Sequence, residues 1–218
     1  MKDIKHDLVV MGATGFTGKL VVEYLIKSYG VRNEHFTWAI AGRSSIKLEK
    51  LKHSLRELDS LSMDIPIILV DSLDSKSLDT MTSSCRLVIS TVGPYMRFGI
   101  PLVESCVKNA THYCDLTGEV PFIRQSIDLF HLKAKENSCR IIHSRGFDSI
   151  PSDIGTLLLQ ETSIKRNQKP CNEVNLYVKS IKGGLSGGTV ASMINISKYK
   201  PDDPKEQKIF RGPFALNP

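Results

Sequence analysis

A glycine-rich turn between an apolar run and an amphipathic stretch constrains this chain more than any other feature. The apolar run Leu8–Met11 predicts a strand, and the turn Gly12–Gly18 follows it directly. A helix is predicted next, because apolar residues recur at helical spacing between Leu20 and Leu25. Glycines let the backbone turn sharply and approach a phosphate, whose charge is stabilised by the amides at a helix start. Strand, turn and helix in this order predict a dinucleotide-binding site, and a tight turn that merely happens to be rich in glycine is the weaker alternative.

The rest of the first 160 residues alternates short β-branched runs with helical stretches. Further strands are predicted at Phe36–Ala41, Ile65–Val70, Leu87–Thr91, Thr111–Asp115 and Arg140–His143. Helices are expected to begin at Ser44 or Ser45, around Ser75, at Pro101, at Pro121 and after Gly146–Pro151. Six strands with intervening crossovers predict an α/β fold with a doubly wound parallel Rossmann-type sheet.

The character of the chain changes after Gln160, where we place a domain boundary. Residues 1–160 are expected to form an NAD(P)-binding Rossmann domain, and residues 161–218 the start of a second α+β substrate domain. In that second part we expect a polar linker over Thr162–Asn172 and a half-buried strand at Val174–Val178. The glycine-rich loop Gly183–Thr189 would then open a helix at Val190–Ile196, and its backbone freedom would let it cover substrate and cofactor.

Charge and composition exclude several classes of function. The net charge of +6 comes mainly from residues 161–218, with 10 basic against 5 acidic residues, whereas residues 1–160 hold 19 against 18. No basic stripe is interleaved with aromatic residues, so we expect no nucleic-acid partner. The longest apolar runs fall far short of the roughly 20 residues of a membrane-spanning helix, and no secretory signal precedes the first strand.

Cysteine usage indicates a reducing compartment and no metal centre. The five cysteines form an odd set without a Cys-x-x-Cys pair, which predicts reduced thiols in a cytoplasmic protein. The segment His112–Asp115 offers metal-ligand types, but no second cluster completes a site, so no bound metal is expected.

The predicted strand ends supply the remaining candidates for cofactor binding, because ligands of open α/β sheets lie beyond the carboxyl ends of the strands. An NAD-selective site places a carboxylate at the end of the second strand, but Glu34 lies at the wrong end of this one. Arg43 and Ser44 stand at the correct end and suit a 2′-phosphate, which favours NADP(H) over NAD(H); a solvated arginine at a helix start is the alternative. The full set of predicted cofactor-binding residues is Gly12, Thr14, Gly15, Phe16, Thr17, Gly18, Arg43, Ser44, Asp71, Ser72, Thr91, Val92, Gly93 and Pro94.

Acidic and phenolic side chains near the same strand ends are the catalytic candidates. Tyr95 is proposed as the proton donor and Asp115 as a second catalytic group. Glu119 and Asp148 also follow strands, and Asp148 is interpreted chiefly as a helix cap. Asp71 either meets the adenine or caps the turn after the third strand.

Several segments in a fixed order resemble the saccharopine dehydrogenase-like oxidoreductases, a group that includes bacterial trans-acting enoyl reductases of lipid synthesis and their eukaryotic relatives. The matching segments are Gly12–Gly18, Ala41–Ser44, Val92–Tyr95, Thr111–Glu119, Gly146–Asp153 and Ser186–Ser192. The resemblance implies an NAD(P)H-dependent oxidoreductase that transfers a hydride to a small-molecule or lipid-linked substrate of enoyl or imine type. It also implies frequent association with membranes or lipid droplets, and a substrate domain that continues past Pro218 in the relatives. Many relatives carry tyrosine at the position of Phe98, so a phenol there is not the proton donor here.

Two other interpretations are a short-chain dehydrogenase and a non-catalytic protein. A short-chain dehydrogenase relies on a Tyr-x-x-x-Lys pair, and none of the six tyrosines has a lysine four residues later. A non-catalytic NADPH-binding or scaffold protein that lacks a complete substrate domain stays open, as do peripheral membrane or lipid-droplet association and a homodimer.

Overall fold

Six parallel strands form one sheet in a computed structural model that describes residues 3–200, 203–204, 207, 212 and 215–216. The strands are β1 (His6–Met11), β2 (Trp38–Gly42), β3 (Ile67–Leu69), β4 (Cys85–Ser90), β5 (His112–Asp115) and β6 (Ile141–Ile142). Their order across the sheet is β3-β2-β1-β4-β5-β6, which is that of a doubly wound dinucleotide-binding fold. The predicted fold class is therefore confirmed.

Seven α-helices and one short 3₁₀ helix (Ser60–Asp64) connect and follow these strands in the described residues. The α-helices are α1 (Phe16–Tyr29), α2 (Ser45–Ser54), α3 (Ser75–Ser83), α4 (Tyr95–Lys108), α5 (Val120–Glu136), α6 (Ile150–Asn167) and α7 (Gly187–Lys198). No helix among the described residues has the length and apolar character needed to cross a membrane.

The central strands are apolar on both faces because helices cover both sides of the sheet. Val10 and Ile40 pack with α1 and α2 on one side, whereas Val9 and Ala39 pack with α3, α4 and α5 on the other. All four residues are completely buried. Continuous apolar runs, rather than strict alternation, are what a parallel sheet covered on both faces requires.

The start of α4 differs from the prediction. The helix begins at Tyr95, and Pro101 lies inside it instead of in its first turn. The carboxylate of Glu119 accepts hydrogen bonds from the backbone amides of Tyr95 and Met96, so a distant residue satisfies the first amides of this helix. Local sequence signals do not report such a cap, so the sequence predicts the helix start at Pro101 instead.

The region after β6 also differs from the prediction. Val174–Val178 is not a strand, and Leu176 and Tyr177 are 61% and 86% exposed. A strand needs a neighbour to satisfy its backbone, and no strand among the described residues pairs with this segment. Helix α6 continues to Asn167 into the expected linker, and α7 begins at Gly187 because the Ser186 hydroxyl accepts from the amide of Thr189.

The division into residues 1–160 and 161–218 stays a prediction. The described part beyond Gln160 is helical or irregular, and most of the predicted tail after residue 200, together with Asn217 and Pro218, lies outside the described residues.

Candidate cofactor cleft and neighbouring buried network

The glycine turn lies at the point where the chain order of the sheet reverses, between β1 and β4. Its first residue, Gly12, has φ +86°, and a Cβ there would lie 2.7 Å from the hydroxyl of Thr91. At Gly18, in the first turn of α1, a Cβ would lie 2.8 Å from the Cα of Ala13. The first glycine therefore permits the turn and the last permits close packing of α1, as a phosphate-binding turn requires.

A cleft of about 270 Å³ opens above this turn. It brings together ten of the fourteen predicted cofactor-binding residues, which are Gly12, Thr14, Gly15, Phe16, Thr17, Arg43, Ser72, Thr91, Val92 and Gly93. Five other residues also line it: Met11, Gly42, Val70, Ser186 and Gly188. Ser186 and Gly188 come from the start of α7, so the predicted glycine-rich loop borders the same cleft.

The other four predicted residues lie outside the cleft lining. Gly18 packs behind the turn, and the Ser44 hydroxyl accepts from the amide of Lys47 as the N-cap of α2. Asp71 accepts from the amide of Leu73 at 3.0 Å, so its observed contact is the turn after β3. Pro94 follows a cis peptide bond from Gly93 and stands just before α4.

Arg43 lies at the end of β2 with an exposed side chain on the rim of the cleft. Glu34 lies before β2 begins, so the strand end carries a cation where an NAD-selective site would carry a carboxylate. A planar guanidinium suits two-point recognition of a phosphate.

Tyr95 is 6% exposed, and its hydroxyl donates a hydrogen bond to the carbonyl oxygen of Ser90 at 3.1 Å. Its ring stacks on Phe122 with the centroids 5.7 Å apart. Burial raises the pKa of this phenol well above its ordinary value, and the negative charge of Asp115 adds to the shift. The phenol is held in the core, so the geometry does not favour the predicted role as proton donor.

Asp115 is 2% exposed, and both of its carboxylate oxygens are engaged. Oδ2 accepts from the hydroxyl of Tyr113 at 2.8 Å and lies 2.7 Å from Nδ1 of His143. Oδ1 accepts from the backbone amides of Thr117 and Ser144, each at 3.1 Å. These contacts tie the ends of β5 and β6 together, and the catalytic role of Asp115 stays a prediction.

His143 extends this network to α5, because its Nε2 lies 3.0 Å from the hydroxyl of Ser126. The order Ser126, His143, Asp115 is that of a hydrolase triad. Ser126, however, is only 3% exposed, although it and His143 border a separate cavity of about 240 Å³ beside α5. We assign the three residues to the packing of α5 against β5 and β6.

Glu119 has the most consequential position of the acidic candidates, although the sequence places it only at the correct edge of the sheet. It is 2% exposed, and besides capping α4 it accepts from the hydroxyl of Ser192 in α7 at 2.7 Å. Asp148, in contrast, is exposed and does not cap α6, whose N-cap position is Ser149 without a side-chain hydrogen bond. The expectation that Asp148 caps that helix is therefore wrong.

The cysteines and other candidate metal ligands do not form a centre in the described part of the chain. There, no three residues of the types His, Cys, Asp and Glu lie close enough together to hold a metal ion. All five cysteines are thiols, as predicted. Burial raises the pKa of Cys114 to about 11, which keeps this thiol protonated at neutral pH.

Comparison with protein families places most of the sheet within one known unit. The family model described as "Saccharopine dehydrogenase NADP binding domain" matches residues 8–142, from β1 to β6. The saccharopine dehydrogenase (L-Glu forming) of Saccharomyces cerevisiae has a similar structure, with a TM-score of 0.53 over 75% of this chain and 32% of that one. At 18% sequence identity, that likeness concerns the fold alone.

Curated relatives match over a longer range. A Mycobacterium tuberculosis protein named as a trans-acting enoyl reductase is 39% identical over 214 residues, which are 98% of this chain and 49% of the relative. The trans-acting enoyl reductase of Mycobacterium bovis is 38% identical over 213 residues, or 97% of this chain and 49% of the relative. This chain thus spans about half the length of the curated relatives it matches.

Proposed function

The chain belongs to the saccharopine dehydrogenase NADP-binding domain family, and from that premise we propose that it serves an NADP(H)-dependent oxidoreductase reaction. Its cofactor is NADP(H), the ligand for which the family domain is named. The observation that carries the proposal is the cleft at the reversal point of the sheet, where the glycine turn and Arg43 border one space. Ligands of doubly wound sheets bind at that place.

The residues of the cleft fit the parts of this cofactor. The amides at the start of α1 and the hydroxyls of Thr14 and Thr17 would hold the pyrophosphate, and Arg43 would meet the 2′-phosphate. Ser72 would border the adenine, and Thr91–Gly93 would border the path to the nicotinamide. A side chain at Gly12 would collide with Thr91, so glycine lets the turn pack closely against the end of β4.

We propose a lipid-linked enoyl or imine-type compound as the substrate, because curated relatives are named trans-acting enoyl reductases. The bound cofactor would supply a hydride to the electron-poor carbon of the C=C or C=N bond, and a proton would complete the reduction at the neighbouring atom. The chain's own residues would orient the cofactor and exclude water from one side of it. Association with a membrane or lipid-droplet surface and a homodimer belong to the same proposal.

A second candidate function is NADPH binding without catalysis. The observation in its favour is that Tyr95 and Asp115 are both buried and hydrogen-bonded within the core. A reaction would then need a proton donor other than these two residues.

Cofactor titration tests the binding part of the proposal. Wild-type protein should bind NADPH more tightly than NADH. Arg43→Ala should lower the affinity for NADPH by roughly 10- to 100-fold, because a charge-assisted hydrogen bond is lost, and should leave the affinity for NADH nearly unchanged. Arg56→Ala removes an exposed arginine outside the cleft lining and is the matched control. Equal affinities of the wild type for the two cofactors would contradict the assignment of Arg43.

Turnover assays separate the two candidate functions. NADPH oxidation by the wild type with a panel of enoyl lipids and imines should give substrate-dependent rates that fall in Arg43→Ala. NADPH binding without oxidation across the whole panel would favour the non-catalytic alternative.

A further inference from the structure

Helix α7 is attached to the sheet through one buried carboxylate. The hydroxyl of Ser192, in the middle of α7, donates a hydrogen bond of 2.7 Å to Oε1 of Glu119. No residue of α7 is buried, and Val190, Met193 and Ile194 are 41%, 53% and 49% exposed. Apolar packing therefore holds this helix only in part, and the hydrogen bond to the Glu119 carboxylate is a specific contact that adds to it.

Glu119 joins α4, α5 and α7, and the loop before α4 and the start of α7 border the cofactor cleft. It stands just before α5, and its carboxylate also accepts from the first two amides of α4, those of Tyr95 and Met96, each at 2.9 Å. The loop before α4 lies next to α7, because a Cβ on Gly93 would be 3.3 Å from the Ser192 hydroxyl. The glycine at this place leaves room for α7 to approach.

The start of α7 forms part of the wall of the cleft. Ser186 and Gly188 border the same space as Gly12 and Arg43, whereas Ser192 lies further along α7 on the side of Glu119. The hydrogen bond to Glu119 thus fixes α7 beside the loop of Gly93, and the start of the helix reaches the cleft.

We propose that Glu119 is a positioning residue that docks α7 through Ser192, so that docking of α7 and binding of NADP(H) favour each other. The inference rests on the proposed function for the identity of the ligand. A ligand that contacts both the glycine turn and the start of α7 binds the docked arrangement better than the undocked one. Binding and docking are linked. If the ligand shifts the docking equilibrium of α7 by a given factor, then undocking α7 lowers the affinity for the ligand by the same factor.

The test uses Ser192→Ala, which removes the donor and leaves Glu119 bonded to α4. Ser192→Thr keeps a hydroxyl at the same place, and Ser197→Ala removes a hydroxyl whose described hydrogen bond lies within α7, to the carbonyl of Ile194. For each protein, NADPH affinity is measured by titration, and amide hydrogen exchange is measured across residues 187–198 and across β1 and α1, with and without NADPH.

Ser192→Ala should lower the affinity for NADPH by roughly ten-fold, as expected for a lost hydrogen bond to a charged group. It should speed exchange in α7 while β1 and α1 exchange as in the wild type. NADPH should slow exchange in wild-type α7, and this protection should be smaller in Ser192→Ala. Ser192→Thr should restore affinity and protection, and Ser197→Ala should behave as the wild type.

Two results would overturn the inference while leaving the proposed function intact. The first is equal NADPH affinity of wild type and Ser192→Ala, and the second is wild-type α7 that gains no protection at saturating NADPH. Failure of the wild type to bind NADPH would instead overturn the proposed function. In that case, exchange in α7 without cofactor still decides the role of Glu119, because unchanged exchange in Ser192→Ala would contradict docking by this contact.

Discussion

Nδ1 of His143 lies 2.7 Å from Oδ2 of Asp115, and this contact joins the ends of two neighbouring strands. The carboxylate also accepts from one phenol and two backbone amides, so it is a buried charge with its full set of partners. A charge in this position stabilises the fold only as long as every partner is present.

Asp115→Asn is expected to lower the free energy of unfolding by about 2–4 kcal/mol, because an amide group cannot accept all of these hydrogen bonds. Denaturant unfolding measures the change. Asp148→Asn alters an exposed carboxylate near the same edge and should change stability by less than about 0.5 kcal/mol. Unchanged stability in Asp115→Asn, together with loss of NADPH-dependent turnover, would restore the catalytic interpretation of Asp115.

Tyr95→Phe distinguishes a structural phenol from a proton donor. The change leaves the buried carbonyl of Ser90 without its donor and should cost about 1–2 kcal/mol in unfolding free energy, with NADPH affinity retained. Because burial raises the pKa of Tyr95 and its hydroxyl points into the core, we expect no change in the pH profile of turnover near neutral pH. A loss of turnover of 100-fold or more at unchanged stability would show that the hydroxyl acts on substrate.

Gly18→Ala tests the close packing behind the glycine turn. The added methyl would lie 2.8 Å from the Cα of Ala13, so the backbone must shift. We expect the free energy of unfolding to fall by about 1–3 kcal/mol and NADPH binding to become much weaker. Gly155→Ala is the matched control, because Gly155 is also helical but has open space around its Cα. It should raise stability by about 0.5–1 kcal/mol. Thermal unfolding and NADPH titration give both readouts, and equal behaviour of the two variants would contradict the packing argument.

Asp79 provides a stability contribution that depends on pH. Its carboxylate accepts from Lys108 Nζ at 2.6 Å, from the Ser105 hydroxyl at 2.8 Å and from the Asn109 amide at 3.3 Å, and the bond to Lys108 is the main cause of its lowered pKa. A lowered pKa in the folded state stabilises the protein above the unfolded pKa of about 3.9, and the contribution disappears as pH falls through the folded value.

Unfolding free energies of wild type and Asp79→Asn should therefore differ at neutral pH and converge as the pH falls below about 4. High salt should reduce the difference at neutral pH, because the side chain of Asp79 is 33% exposed. A difference between the two proteins that stays constant over this pH range would contradict the role of the charge.

Much of the fold follows from local patterns. Apolar runs and helical periodicity predict all six strands, and the observed strands begin and end within a few residues of the predicted ones. The glycine turn and the end of β2 predict where the cleft lies, because these features depend on backbone geometry that glycine and strand position determine.

What local patterns do not determine depends on contacts between distant parts of the chain. The true start of α4 is set by Glu119, more than twenty residues away in sequence. A position after a strand places Tyr95 and Asp115 at the correct edge of the sheet, but it does not tell whether a side chain turns towards the cleft or into the core. Val174–Val178 has the alternation of a strand, yet a strand forms only where a neighbouring strand satisfies its backbone.

The two outer strands of the sheet are also its shortest, with three residues in β3 and two in β6. Unpaired backbone groups along an outer strand are the usual template on which another polypeptide adds itself, and very short outer strands are one way in which proteins limit such growth. This sheet can therefore stay open at both sides and still offer few sites for the uncontrolled edge-to-edge pairing that leads to aggregation.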